Sequence, residues 1–322
     1  MKVLIAGGAG FVGSTVASAC IDDGIVPVVV DNLVTGRVEF TRDRIFYQGD
    51  IADGAVVDRV FADHPDIAAV IHTATIAADP DGAVEQSRAF VDHIVRNGCR
   101  RYVFSSSAAI YRPDGDWSVS EGSTVEPTSP YARAKVAIEH LLNERAADGC
   151  LRVLSLRYFE PIGADPQLRT GPHGGRPDEL LDEILGAAER DEEFVLTGQL
   201  PTRDGSEIRD FIHVWDLADA HVAALRRFDK VLPERAGWAY DVINLGTGRS
   251  TTVREFLSAF RSVAQVPLRI RETPSTPDDR VGSFTHSVRA QDMLGWAPRY
   301  STLDGIRHAM QWAAIRPDVL GA

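Results

Sequence analysis

The stretch Gly7-Gly-Ala-Gly10-Phe-Val-Gly13 limits what this chain can fold into more than any other part of it. It follows an apolar run, Val3 to Ala6, that reads as a buried parallel strand, and it opens a helical pattern from Ser14 to Asp23 that stops at Gly24. Gly7 and Gly8 permit a tight turn, Gly10 removes a Cβ that would block a pyrophosphate, and Gly13 lets helix and strand pack closely. The free N–H groups at the helix start then meet phosphate charge. A second buried strand, Val26 to Val30, ends in Asp31, 18 residues beyond Gly13. A carboxylate there accepts both ribose hydroxyls and repels a 2′-phosphate, which points to NAD rather than NADP. A glycine fingerprint alone is weak, but strand, turn, helix and acid in this order are specific.

Beyond Asp31, strands and helices alternate. Ile45 to Ile51 reads as a strand and turn, Ala55 to Ala62 as a helix, Ala68 to His72 as a strand, Val84 to Asn97 as a helix and Arg101 to Ser105 as a strand. A Ser-rich turn and a polar loop precede a helix from Tyr131 to Ala147 and a strand from Leu151 to Leu156. The expected fold class is therefore α/β, a Rossmann-type doubly wound parallel sheet with its ligand at the carboxyl ends of the strands. From Pro161 the pattern loosens into a Gly- and Pro-rich loop, Gly163 to Pro177. Helices are expected at 178–189, 214–228, 253–263 and 303–314, and strands at 194–196, 241–245 and 268–271. Residues 1–160 are thus read as the dinucleotide-binding domain and 161–322 mainly as a smaller C-terminal α/β substrate-binding region, with segments within 209–248 returning to the first domain.

Ser129-Pro-Tyr131-Ala-Arg-Ala-Lys135 sets a tyrosine and a lysine four residues apart, on one helix face, with Pro130 suited to the first turn. A tyrosine ionises near pH 10, and a neighbouring ammonium with an oxidised nicotinamide favours its phenolate, so Tyr131 can serve as a base. Ser107, 24 residues earlier at a strand end, can hydrogen-bond the same substrate hydroxyl. Taken alone, such a pair is a common helical pattern and a serine run is a turn. Their position after a dinucleotide site turns the reading to catalysis.

Charge and composition remove other classes. Lys plus Arg total 34 against 46 Asp plus Glu, a net charge of -12, which disfavours nucleic acid or an anionic membrane as partner. An apolar run of membrane-spanning length is missing and Met1-Lys2 leads directly into a strand, so the cytoplasm is the expected compartment. Cys20, Cys99 and Cys150 are odd in number and far apart, which fits buried thiols, and the nine histidines form no metal motif, so no metal is expected.

Across nearly its whole length the chain resembles the extended short-chain dehydrogenases/reductases, within them the UDP-glucose 4-epimerase-like branch. The likeness rests on the glycine turn, Asp31-Asn32-Leu, Gly49-Asp50-Ile51, Phe104-Ser105-Ser-Ser107, Tyr131 to Lys135, Leu156-Arg-Tyr158-Phe159, Arg209-Asp-Phe-Ile-His213-Val-Trp-Asp216-Leu-Ala-Asp219-Ala220 and Asn244-Leu-Gly-Thr-Gly248. It implies that Tyr131 takes a proton from a sugar hydroxyl while the carbon gives hydride to NAD, and that the ketone turns over and regains hydride on its other face. Lys135 would bind the nicotinamide ribose and tune Tyr131, and Asp50-Ile51 would hold adenine. Phe11, Val12, Asn32, Thr73, Ala74, Thr75, Ser105, Tyr158 and Phe159 complete the implied cofactor contacts. Related dehydratases carry an Asp-Glu pair after the catalytic hydroxyl residue; Ala108 and Ala109 stand there, which disfavours elimination of water. Two further readings are a net dehydrogenase or reductase with the same triad and a non-catalytic NAD sensor.

The substrate side departs from the branch. Ser107, Ala108 and Arg209 are expected to touch the sugar or nucleotide sugar, but Glu160, Glu179 and Asp279 occupy places where Asn, Asn and an Arg-bearing segment are usual. A carboxylate only accepts hydrogen bonds and repels phosphate. One expectation is that the usual diphosphate is bound differently or is absent, with an amine-bearing or uncharged substrate in the cleft. The other is that Glu160 and Glu179 are solvated loop acids and that Arg209, Arg280 or another arginine meets the phosphates. The stretch between His72 and Ser105 is also shorter than usual, so a homodimer with a reduced interface is expected.

Overall fold

The structure, a computed structural model, describes residues 1–74, 80–113, 115–173, 180–234, 238–264, 267–276 and 281–321, with the side chains of 80 and 81 outside that description. Thr75, Glu179, Asp279 and Arg280 therefore lie outside the described residues.

The apolar runs become strands β1 (Lys2–Ala6), β2 (Val26–Asp31), β3 (Ile45–Gln48), β4 (Ile67–His72), β5 (Arg101–Ser107) and β6 (Arg152–Tyr158), alternating with helices α1 (Phe11–Asp22), α2 (Gly54–Asp63), α3 (Pro80–Arg96) and α4 (Pro130–Ala147). The later chain holds strands β7 (Glu160–Ile162), β8 (Glu193–Gly198), β9 (Ile208–Arg209), β10 (Phe211–His213), β11 (Tyr240–Leu245), β12 (Thr251–Thr252) and β13 (Arg269–Pro274). Its helices are α5 (Leu180–Glu189), α6 (Val214–Val231), α7 (Val253–Ala264), α8 (Val288–Leu294) and α9 (Thr302–Leu320).

Seven of the described strands form one sheet in the order β3-β2-β1-β4-β5-β6-β11. All its pairs are parallel, with Ile5 opposite both Val29 and Ile71. Such strands are covered on both faces, which is why Val3 to Ala6 and Val28 to Val30 are apolar throughout and fully buried. One face packs on α1 and α6, the other on α2, α3 and α4. The order reverses between β1 and β4, and the crevice beyond their carboxyl ends is where a doubly wound sheet binds its ligand.

The second region has its own core, in which α5, α7 and α9 bury Leu181, Ile184, Phe256, Leu257, Phe260 and Ile306 against Phe194 and Leu196 of β8. β8 pairs in parallel with β13. Within 209–248, α6 joins the core of the main sheet and β11 becomes its edge strand beside β6. The C-terminal segment is tied to α6 by Asp216, whose Oδ2 accepts 2.9 Å bonds from the Arg299 and Tyr300 amides. Burial raises the Asp216 carboxyl to about 6.

Element ends differ from the sequence reading in instructive places. α1 starts at Phe11, three residues before the expected Ser14, because the turn ends at Gly10, which is still extended and serves as the N-cap. β5 runs on to Ser107, paired with Tyr158 of β6, so all three serines are strand residues rather than a turn. The short strands β7, β9, β10 and β12 were not expected, since two or three residues carry no periodicity, and neither was the seven-residue α8.

Candidate active site

The glycine turn is built by close approaches. Gly7 sits at φ +79°, which a side chain rarely adopts, and a Cβ there would stand 2.6 Å from the Ala74 nitrogen. A Cβ on Gly13 would strike the Gly7 carbonyl oxygen and stand 2.6 Å from Thr73 Oγ1. Thr73 closes the seam by donating its hydroxyl to the Ala6 and Gly7 carbonyls at 2.9 and 3.2 Å. Gly13 thus packs against the turn itself rather than the strand, and Gly8 is needed for its approach to the Val29 side chain, not for the turn. At Gly10 an added Cβ meets only the Gly7 carbonyl at 3.5 Å, an ordinary contact, so this side of the turn is open. α1 has no side-chain cap and no acid in its first turn, which leaves the Phe11 and Val12 end of the helix suited to phosphate.

Asp31 is buried at the end of β2, where its Oδ2 accepts from the Ala9 amide at 3.0 Å and its Oδ1 from the Leu33 amide at 2.8 Å. Each oxygen keeps a lone pair for a ribose hydroxyl. Gly36 completes this corner, for a Cβ there would come within 2.7 Å of Asp31 Oδ1. Sequence reading passed over Gly36; its signal was the Thr-Gly dipeptide after the acid. Asn32 donates to Asp50 Oδ2 at 3.0 Å, so two expected adenosine contacts are joined, and Ile51 is buried beside them. The residues present fit a dinucleotide: an open turn, an uncapped helix start and an oriented carboxylate.

Ser129 caps α4 by accepting from the Ala132 amide at 3.1 Å, with Pro130 in the first turn, and this fixes the start of the helix that carries Tyr131 and Lys135. Tyr131 is 38% exposed, whereas Lys135 is buried. The ammonium donates to the Ser105 carbonyl at 2.6 Å and stands 4.8 Å from the centre of the Phe104 ring and 5.7 Å from that of Tyr131. Ser107, at the end of β5, accepts from the Ala109 amide at 3.2 Å and so keeps its own O–H proton to donate. Tyr158 lies opposite Ser107, and Phe159 packs on the cluster of Ala108, Ile110 and Tyr111. The Ala108 methyl is buried in that cluster.

Two supports under this group were absent from the sequence reading. His221 of α6 donates through Nδ1 to the Leu217 carbonyl at 2.8 Å, which leaves Nε2 to accept the Ser105 hydroxyl at 2.8 Å. Burial lowers its pKa to about 4, so the ring is neutral. His72 is likewise buried, its pKa lowered to about 3 by desolvation and then by Lys135, and it bonds Tyr102 at 2.7 Å. On the other side, Glu139, one turn after Lys135, accepts from Arg157 Nε at 2.9 Å and Nη2 at 2.5 Å and from Ser106 Oγ at 2.5 Å. Arg157 also donates to Tyr111, which donates to Asn244 at 2.7 Å. The signal was the i, i+4 spacing of Lys135 and Glu139 together with the arginine of Leu156-Arg-Tyr-Phe.

The expectation of a solvated Glu160 is corrected. It begins β7, only 15% of its side chain is exposed, and its Oε2 accepts from Arg209 Nη1 at 2.6 Å. Arg209 is shared with Glu207, which takes its Nε and Nη2 at 2.9 and 2.8 Å. Asp210 beside it accepts from the amides of Thr247, Gly248 and Thr285, which explains the Asn244-Leu-Gly-Thr-Gly248 motif as a backbone anchor. Among the described residues, groups of acids, histidines and cysteines able to hold a metal are absent, as are helices long and apolar enough to cross a membrane.

Comparison with known proteins agrees with this architecture. UDP-glucose 4-epimerase of Azospirillum brasilense is 35% identical over 97% of this chain and 91% of its own. Among solved structures, UDP-glucose 4-epimerase of Stenotrophomonas maltophila, with bound NAD and formylated UDP-arabinopyranose, superposes with a TM-score of 0.90 at 31% identity, covering 99% of each chain. That of Bifidobacterium longum, in complex with NAD+ and UDP, gives 0.88 at 27% identity over 99% of this chain and 100% of its own. The family model matches residues 3–246, nearly the whole sheet with its glycine turn, serines, tyrosine and lysine, and the chain belongs to the NAD dependent epimerase/dehydratase family.

Proposed function

We propose that the chain is an NAD-dependent epimerase that inverts C4 of a nucleotide sugar. The observation that carries this reading is the placement of Lys135, which is bonded to the Ser105 carbonyl at 2.6 Å and stands 5.7 Å from the Tyr131 ring, at the end of a sheet that begins with the glycine turn. Gly7, Gly10, Gly13, Phe11 and Val12 would hold the pyrophosphate, Asp31 the adenosine ribose, and Asn32, Asp50 and Ile51 the adenine. Thr73, Ala74, Ser105, Tyr158 and Phe159 would border the nicotinamide, with Lys135 on its ribose. Bound NAD supplies a hydride acceptor that can also return the hydride.

Tyr131 takes the proton of the C4 hydroxyl, and the nearby ammonium favours the phenolate that this requires. Ser107, with its proton free to donate, holds the same oxygen in line. When the other face of the carbon is presented, Tyr131 returns the proton. Nothing in this cycle consumes an acid–base pair beyond the tyrosine, in keeping with Ala108 and Ala109 after the serine.

The proposed assembly is a homodimer through α3 and α4, which lie side by side on one face of the sheet, and the proposed compartment is the cytoplasm. The deciding experiment is nuclear magnetic resonance of UDP-galactose with purified protein and no added cofactor. Appearance of the glucose epimer, lost in Tyr131→Phe, supports the reading. Accumulation of a keto sugar that requires stoichiometric NAD makes the chain a net dehydrogenase, and full function of Tyr131→Phe refutes a catalytic role.

A further inference from the structure

A segment of the second region lies along α1 and ends against the corner built around Asp31. Arg169 holds Asp22, the last residue of α1, through Nη1 and Nη2 at 2.7 and 3.0 Å, and also pairs with Asp165. Thr170 meets Thr15 at 3.2 Å on the middle of the helix, both fully buried. His173 then donates through Nε2 to the Thr35 carbonyl at 2.6 Å. Residues 165–173 thus run from the C-terminus of α1 toward the glycine turn. Thr35 belongs to the loop 32–37 that follows Asp31. In that loop a Cβ on Gly36 would stand 2.7 Å from Asp31 Oδ1, and the Arg37 amide donates to the Ala9 carbonyl at 2.9 Å. Leu33 sits at φ +61° and Val34 is exposed. A leucine keeps such a backbone only where its surroundings hold it.

Part of that support comes from α9. Trp312 is fully buried and donates Nε1 to the Pro172 carbonyl at 2.6 Å. Gly171 lies so close to its ring that an added Cβ would come within 2.6 Å. Phe40, in the short helical turn Val38–Thr41 just past the loop, is buried, with its ring centre 5.6 Å from that of His173 and 5.8 Å from that of Trp312. The loop beside Asp31 is therefore held at Thr35 and at Phe40 by side chains of the second region. Release of a ligand under such a loop waits on its opening. We propose that His173 and Trp312 are positioning residues for the cofactor: they keep loop 32–37 against the Asp31 corner, so that NAD leaves only when this contact opens and one NAD serves successive turnovers. The inference rests on the dinucleotide reading of the glycine turn and Asp31. It goes beyond the epimerase reading, since it concerns how long the cofactor stays.

The test is the rate at which the protein releases radiolabelled NAD when chased with excess unlabelled NAD. In His173→Leu, which removes the donor to Thr35, release is faster by about threefold to tenfold, the worth of one hydrogen bond. His173→Gln, whose amide still donates, stays within about twofold of the parent. Trp312→Phe keeps a ring against Phe40 but loses the N–H to Pro172, and it also speeds release by about threefold or more. Release at the parent rate in His173→Leu, or equal acceleration in His173→Leu and His173→Gln, overturns the inference. Should His173→Leu fail to fold, Trp312→Phe is read instead: faster release supports the inference and release at the parent rate overturns it. A parent protein that binds no NAD refutes the cofactor reading itself, whereas one that holds NAD and releases it at one rate in every variant refutes the positioning role alone. The chase reads release without turnover, so failure to epimerise any sugar counts against the epimerase reading only.

Discussion

Glu139 offers the sharpest test of how the catalytic helix is held. Its side chain is 5% exposed and that of Arg157 8%, so both charges are out of water and each depends on the other. Replacing Glu139 with Met leaves the guanidinium buried with the Tyr111 oxygen, an uncompensated charge that costs about 3 to 5 kcal/mol. An unfolding entropy of about 2.1 cal/mol/K per residue over 322 residues is about 0.7 kcal/mol/K, so the melting midpoint should fall by about 4 to 7 °C. Arg157→Met should cost a similar amount. The double variant removes both charges and should recover most of the loss, since an apolar pair of similar size replaces a buried ion pair at little cost. Scanning calorimetry at saturating NAD reads all four proteins. Activity should fall with stability in the singles, because Glu139 lies one turn from Lys135 and also accepts from Ser106. A Glu139→Met midpoint within about 1 °C of the parent, or purely additive losses in the double variant, refutes the coupling.

Other expectations follow from single groups. Gly13→Ala drives a Cβ into the Gly7 carbonyl, so the purified protein should lose copurified NAD, read by absorbance after denaturation. Tyr131→Phe should lower turnover by about 10²- to 10⁴-fold while NAD content is unchanged. Burial lowers His72 and His213 to about 3 and His221 to about 4 and raises Asp216 to about 6. Between about pH 4 and 6 the unfolded chain therefore binds about three more protons at the histidines and the folded chain about one more at Asp216. Stability should rise with pH across that window, by roughly a few kcal/mol per unit, and denaturant midpoints that stay flat there contradict the assignment. Burial also raises the Glu160 carboxyl against the pull of Arg209, with Glu207 adding to the rise.

The nucleotide half of this protein was legible from the order of its residues because each requirement there is local. A turn that needs positive φ, a helix start without a cap and a strand ending in an acid are all decided within about thirty residues of chain, and Tyr131 and Lys135 share a helix face whatever surrounds them. The parallel, doubly wound character of the sheet followed too, since strands joined by helices admit few arrangements, while the strand order came from the structure. What only the tertiary structure decided is which charges meet. Glu160 and Arg209 are 49 residues apart, Ser105 and His221 116 apart and Tyr111 and Asn244 133 apart, and no periodicity brings such pairs together. Whether a glutamate repels an anion, is solvated or pairs with an arginine depends on the partner that folding places beside it, because a charge acts through distance in space and the dielectric around it, not through position along the chain.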